Sequence, residues 1–248
     1  MNNPLHKLDR WLASRTLRRD LPLRGDTGVV SFSFDDAPRS ACTTGRDVLE
    51  RHGCHGTWYI AGGLTDQPEQ GRMCHSAADV RDLARAGHHI GCHTFSHTPC
   101  DTLSGAQMRE QLSRNAQYFE QLGLPSQDLH FSFPLGAYGL GSKRIAAQSF
   151  QSARITGGGI QAGQADLNAL RSERLYDQVM TPGRLSALAD EVAARRGWLI
   201  YYTHDVEDHP SQWGCTPTLL GVAVQAALTA GCKVLPVDQA IHHWQSQA

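Results

Sequence analysis

Short apolar runs alternate with amphipathic, glycine-terminated stretches along almost the whole chain, and this alternation restricts the fold more than any other feature of the sequence. Residues 28–34 (GVVSFSF), 56–61, 88–93, 129–133, 153–156, 170–175, 198–203 (WLIYYT) and 233–237 have the length and composition of strands. Between them, 41–52, 76–86, 104–122, 143–150, 185–196 and 218–230 read as helices, and Gly87, Gly123, Gly197 and Gly231 stop four of them. In 104–122, Ser104 and Gln107 form a capping box and Met108, Leu112, Ala116 and Phe119 form the buried stripe. Repeated strand–helix units predict an α/β fold with a parallel sheet covered by helices. About seven or eight units favour a closed barrel over an open doubly wound sheet, although the pattern alone admits both. We read residues 1–248 as one domain, with 1–27 as an N-terminal helical extension whose Leu5, Leu8, Trp11, Leu12 and Leu17 fall near helical spacing.

Composition narrows the partners. Lys plus Arg is 23 and Asp plus Glu is 24, a net charge of −1, which supplies no general attraction to nucleic acid or to an anionic membrane. No apolar run approaches the length of a transmembrane helix. Lys7, Asp9 and Arg10 break the first apolar stretch, so no export signal is expected and a cytoplasmic location is. Seven cysteines without a Cys-x-x-Cys pair predict free buried thiols in a reducing compartment. Cys92 touches the histidine-rich segment and reads as a core thiol. The oligomeric state is not legible.

Chemistry in either architecture gathers where parallel strands end, and that supplies a filter. Asp35 and Asp36 follow the first strand, His93 ends the third with His97 just beyond, Pro134-Leu-Gly follows the fourth, and His204-Asp205 follows WLIYYT. Each motif alone is weak. An Asp-Asp pair is often a solvated turn, and His89/His93 competes with His93/His97 as a spaced pair. Their coincidence at strand ends is the stronger signal. A catalytic zinc takes three protein ligands and leaves one position open. Asp36, His93 and His97 can supply those three, Asp35 is then free to accept a proton from water, and His204 is placed to protonate a leaving amine, oriented by Asp205 or another carboxylate. Trp213, in the long connection 203–216, and Tyr138, after the PLGAYG turn, are candidates for lining a binding groove. Gly157–Gly159 and Gln161–Gln164 read as a mobile loop near the mouth.

Ser33-Phe-Asp-Asp-Ala-Pro, His93-Thr-Phe-Ser-His97, Phe133-Pro-Leu-Gly and Tyr202-Thr-His204-Asp, in this order, resemble the motifs of the NodB-type polysaccharide deacetylases, carbohydrate esterase family four. The resemblance spans about 28–240. It implies a distorted (β/α) barrel of about seven parallel strands and a metal-dependent hydrolase that removes an N-acetyl group from an amino-sugar glycan or glycan precursor. It also implies Asp35 as base, His204 as acid, and Asp36, His93 and His97 as ligands of zinc or another divalent ion such as cobalt or nickel. Thr94 matches the hydroxyl residue that steadies the histidine loop, and Leu135, after Pro134, matches the position whose backbone N–H helps hold the oxyanion. Three positions depart from the pattern. Ala37 stands where Gly is common, Ser132 where an Arg normally pairs with the base, and Tyr202 where an aliphatic residue is common. Arg171 or Arg174 is the expected substitute for the missing cation. Two other readings stay open: a different C–N hydrolase on the same scaffold, opening a cyclic imide or ureide, and a carbohydrate-binding homologue with impaired catalysis.

Overall fold

The computed structural model describes residues 4–127 and 129–247, without the side chains of 4–8 and 10. Seven parallel strands close into a barrel: β1 (Val29–Asp35), β2 (Thr57–Ile60), β3 (His89–Cys92), β4 (His130–Ser132), β5 (Ser152–Thr156), β6 (Leu170–Arg174) and β7 (Trp198–Thr203). Each pairs with the next, and β7 returns to pair with β1 through six residue pairs, from Trp198 with Val29 to Thr203 with Phe34. Every residue of β1 and β7 is buried, including Ser31 and Ser33, whose small hydroxyl side chains alternate with Phe32 and Phe34 in β1.

Helices α1 (Pro4–Arg15), α2 (Arg46–Arg51), α3 (Ala77–Arg85), α4 (Gly105–Gln121), α5 (Leu140–Ser149), α6 (Pro182–Arg195), α7 (Pro217–Thr229) and α8 (Val237–Gln245) complete the chain. The capping box of α4 forms as its sequence requires: the Gln107 N–H donates to Ser104 Oγ at 3.3 Å, and the Ser104 N–H donates to Gln107 Oε1 at 2.9 Å. Met108 and Phe119 on its inner face are fully buried, each contributing about 2 kcal/mol by transfer from water. Between them lies Asn115, with no exposed surface. It donates to the Ile60 carbonyl and to Cys92 Sγ and accepts from the Gly62 N–H, so α4 is fastened to the ends of β2 and β3.

Several boundaries differ from the sequence reading, each for a local reason. Segment 41–52 opens with a π-helical turn, Ala41–Gly45, before α2. A Cβ on Gly45 would lie 3.2 Å from both Phe34 and Val206, so a bare backbone fits this contact. The last strand stops at Val234 because Pro236, which has no N–H to give a ladder, becomes the N-cap of α8. Residues 163–166 are not a loop at the mouth. Gly163–Asp166 pairs antiparallel with Asp20–Leu23, and Gln161 bridges Trp198 at the start of β7, which is the opposite end of the barrel. This ribbon and α8 close that end: Leu21, Leu23, Ala165, Val237, Ile241 and Trp244 form one apolar cluster with Val29, Leu170 and Trp198. The extension before β1 therefore carries a strand as well as α1. The buried Lys143 ammonium holds α1 by donating to the carbonyls of Ala13 and Thr16 and to Asp166. No helix among the described residues is long and apolar enough to cross a membrane.

Candidate active site

The site is built on strained turns at the open end of the barrel. Asp35 is the last residue of β1, and the next two, Asp36 and Ala37, both take positive φ (58° and 49°). That sharp turn lets adjacent carboxylates face one space. Burial of the turn is matched by hydrogen bonds to His75, whose ring Nδ1 meets the Asp36 carbonyl at 3.2 Å and whose N–H donates to the Ala37 carbonyl at 2.9 Å. Thr94, His97 and Leu135 also have positive φ, so five of the nine described non-glycine residues with this conformation lie in the turns that follow β1, β3 and β4.

His93 follows β3 directly. Its Nδ1–H donates to the Ser132 carbonyl at 2.8 Å and its backbone N–H donates to the Ile60 carbonyl at 3.0 Å. The Nδ1 of His97 is 3.2 Å from Glu69 Oε1. With each Nδ1 held by an acceptor, both Nε2 lone pairs are free, and both meet Asp36 Oδ1, at 3.5 Å for His93 and 3.0 Å for His97. The ligand atoms of Asp36, His93 and His97 lie within 4.8 Å of one another, and Asp36 Oδ1 is buried without a hydrogen-bond partner. Two neutral imidazoles and an orphaned carboxylate oxygen are the donor set of a divalent transition ion, so these residues fit the metal that the sequence implied. Burial pushes Asp36 up to about 7, with Asp35 and Glu69 adding to the effect and His204 opposing it. Burial also lowers His93 to about 3 and lowers His97, keeping both in the ligating form. Thr94 is fully buried beside them, its hydroxyl unpartnered among the described residues.

Asp35 behaves in the opposite way. Burial favours its acid form, but the Arg154 guanidinium, aided by His93 and His204, outweighs that and holds it below the usual carboxylate range. Arg154 Nη2 donates to both Asp35 oxygens. This corrects the expected substitute. Arg171 is exposed on the outer face of β6, where its guanidinium donates to the Ile160 carbonyl, and Arg174 is exposed as well. Arg154 is the register partner of Ser132 on the adjacent strand. A charge inside the short apolar strand 153–156 was the available signal.

His204 follows β7 and is largely buried; its Nδ1–H donates to the Trp213 carbonyl at 3.0 Å and its Nε2 lies 3.8 Å from Asp36 Oδ2. Asp205 does not orient it. Both Asp205 oxygens are taken at 2.6 Å by Ser211, one by its N–H and one by its hydroxyl. Trp213 is exposed and lines a cleft with Asp36, Glu69, Arg72 and His204. Buried Pro134 opens the turn that presents Leu135, which is 63% exposed and whose N–H has no acceptor among the described residues. Gly136 completes this turn at φ 62°, where a Cβ would lie 2.3 Å from Thr156 Oγ1. Tyr138 does not line the cleft. It packs on Phe133 with ring centroids 5.2 Å apart and borders, with Arg171, a separate cavity that none of the ligand trio touches.

The hairpin Pro68–Glu69 with Arg72–Met73 escaped the sequence reading altogether. It delivers Glu69 to His97, and Arg72 to Glu207 at 2.7 Å and to the His209 carbonyl at 3.1 Å. Two-residue strands carry no periodicity, so no sequence signal marked them.

A family model described as polysaccharide deacetylase matches residues 24–150, just over half of the chain. A chitin deacetylase of Colletotrichum lindemuthianum is 26% identical over 106 residues, covering 40% of this chain and 42% of that protein. A bifunctional xylanase/deacetylase of Pseudobutyrivibrio xylanivorans is 24% identical over 88 residues, covering 36% of this chain and 14% of that one. The matches thus span less than half the length of these curated relatives. Among solved structures, Bacillus subtilis PdaA, a family 4 carbohydrate esterase, superposes with a TM-score of 0.61 at 14% identity over 98% of this chain and 90% of that one. The chitin deacetylase from the fungal pathogen C. lindemuthianum gives a TM-score of 0.60 at 15% identity over 86% and 87%. At these identities the structural likeness speaks for the shared fold.

Proposed function

Because the chain belongs to the polysaccharide deacetylase family, we propose that it is a divalent-metal-dependent hydrolase that removes an N-acetyl group from an amino-sugar-containing glycan or glycan precursor. The observation that carries this reading is the convergence of Asp36, His93 and His97 on one point, with Asp36 Oδ1 unpartnered, beside Asp35 and His204. A divalent ion held by these three, zinc by preference, would polarise water and the acetyl carbonyl.

The chain's own groups perform the proton transfers. Asp35, kept ionised by Arg154, accepts a proton as water oxygen attacks the carbonyl carbon. The Leu135 N–H, which has no acceptor among the described residues, is the donor assigned to the oxygen that becomes negative. The C–N bond then breaks, and protonated His204 gives its Nε2 proton to the departing sugar nitrogen, its ring fixed meanwhile by the Trp213 carbonyl. The products are acetate and a free amino sugar. Trp213 offers an exposed ring beside this cleft for stacking on the sugar. Seven buried cysteines, none in a disulfide, favour work in a reducing compartment such as the cytoplasm.

The test is metal analysis together with acetate release from a panel of N-acetylated sugars, sugar conjugates and oligosaccharides, with O-acetylated xylan and cyclic imides as competitors. The expected result is about one divalent ion per chain and acetate from an N-acetylated sugar. Hydrolysis of cyclic imides alone, or no metal together with no rescue by zinc or cobalt, would overturn the proposal.

A further inference from the structure

We propose that Arg154 is the positioning residue of the proton-accepting carboxylate, and that its post is interchangeable with that of its register partner, Ser132. The proposal rests on the deacetylase reading for the role of Asp35.

Arg154 sits in the middle of β5, only 1% exposed, and Asp35 ends β1, which is not a neighbouring strand. The contact between them therefore crosses the barrel interior. Both terminal nitrogens of the guanidinium are held, while its Nε is buried without a partner among the described residues. Nη2 donates to both oxygens of Asp35 and to Ser132 Oγ. Nη1 donates at 2.6 Å to Ser172 Oγ, which itself donates to the Ile155 carbonyl at 2.9 Å. The ring of Tyr59 lies 5.1 Å from the guanidinium carbon and that of Tyr202 lies 5.0 Å from it. A planar fork fixed by two hydroxyls and two rings fixes in turn the carboxylate it binds. This also gives Tyr202, which stands where an aliphatic residue is common, a contact of its own: its ring supports the cation.

Ser132 and Arg154 are paired across β4 and β5, and both are buried. The two side chains enter the same space, with the serine small enough to leave it to the guanidinium. The main-chain carbonyl of Ser132, which accepts from His93, is unaffected by what its side chain is. An arginine at 132 and a serine at 154 would place the same charge at the same carboxylate from one strand away.

The experiment compares wild type, Arg154→Ser, Arg154→Lys, Ser132→Arg and the double variant Ser132→Arg/Arg154→Ser, with saturating zinc. The readouts are kcat and KM for acetate release, metal content and Tm. Arg154→Ser is expected to lower kcat by about 100-fold while KM moves by less than about threefold and the metal stays. Arg154→Lys stays at least about tenfold below wild type, because an ammonium cannot form the fork. Ser132→Arg alone is also impaired, since two guanidinium groups then crowd one carboxylate. The double variant recovers to within about tenfold of wild type, a non-additivity that a merely structural role would not give kcat. A kcat for Arg154→Ser within about threefold of wild type overturns the proposal, as does a folded double variant no better than that single. If Arg154→Ser does not fold, the lysine and double variants decide by the same criteria. A wild-type chain silent on every amino sugar would sink the functional reading instead. The Tm values then decide the exchange: a loss of roughly 10 °C in Arg154→Ser that the double variant restores supports it, and additive losses overturn it.

Discussion

Asp35 and Asp36 are adjacent in sequence, equally buried and opposite in acid–base behaviour. One has a guanidinium against both oxygens; the other has an oxygen with no partner and a proton affinity raised to about 7 by burial. This asymmetry supports the proposed division of roles, Asp35 as base and Asp36 as ligand, and the division can be tested by substitution. Asp35→Asn should cut turnover by about 10³-fold and keep the metal. It should also cost about 3 kcal/mol of stability, because Arg154 is left buried without its counter-charge. His93→Ala should lose metal and turnover together. Metal analysis with a thermal melt on each variant checks this, and equal metal loss in the two would refute the division. The proposed ligands were legible because they sit at or shortly beyond strand ends, which sequence pattern locates well. The partner of Asp35 was not, because a contact across a barrel depends on the register of two distant strands, and no short-range pattern encodes it.

At the scale of elements, Asn115 does what an apolar helix stripe gives no reason to expect. It is a polar residue on the inner face of α4, and it joins that helix to β2, β3 and the Gly62 turn. The Ile60 carbonyl it binds also receives the His93 N–H, so the helix supports the site at one remove. Asn115→Ala should leave the Gly62 N–H and part of the Ile60 carbonyl unsatisfied, costing about 2–4 kcal/mol and lowering Tm by roughly 5–10 °C. A calorimetric Tm within about 1 °C of wild type would contradict this account. The long helices and the apolar strands were readable by period and caps. The two-residue hairpin, the ribbon of 20–23 with 163–166, and α8 were not, because tertiary pairing and a single proline decided them.

Across the whole molecule, acid sensitivity follows from histidines buried in neutral form. Burial lowers His89 and His130 to about 3, and His75 and His88 to about 4. In the unfolded chain such groups titrate near 6.5, so below that pH the unfolded state takes up protons that the fold refuses. Their stabilising contribution is complete above about pH 6.5 and is lost as pH falls toward 4 for His75 and His88 and toward 3 for His89 and His130, at up to about 1.4 kcal/mol per pH unit for each. Tm should therefore fall steadily on acidification from pH 7 to pH 5, and His130→Gln should flatten the slope by one proton's worth. A melt independent of pH over that range would show these rings protonated, or solvated, in the folded state.

The seam between β7 and β1 has a consequence for how the protein is made. A ribosome releases Val29 about 170 residues before Thr203, so the first barrel strand waits for its neighbour through most of translation. The three proposed metal ligands, Asp36, His93 and His97, emerge early, while His204, the proposed proton donor, arrives only with the seam strand. On the proposed roles, the nascent chain could gather an ion well before its site is complete. A product stopped short of β7 would expose two unpaired strand borders, an invitation to aggregate.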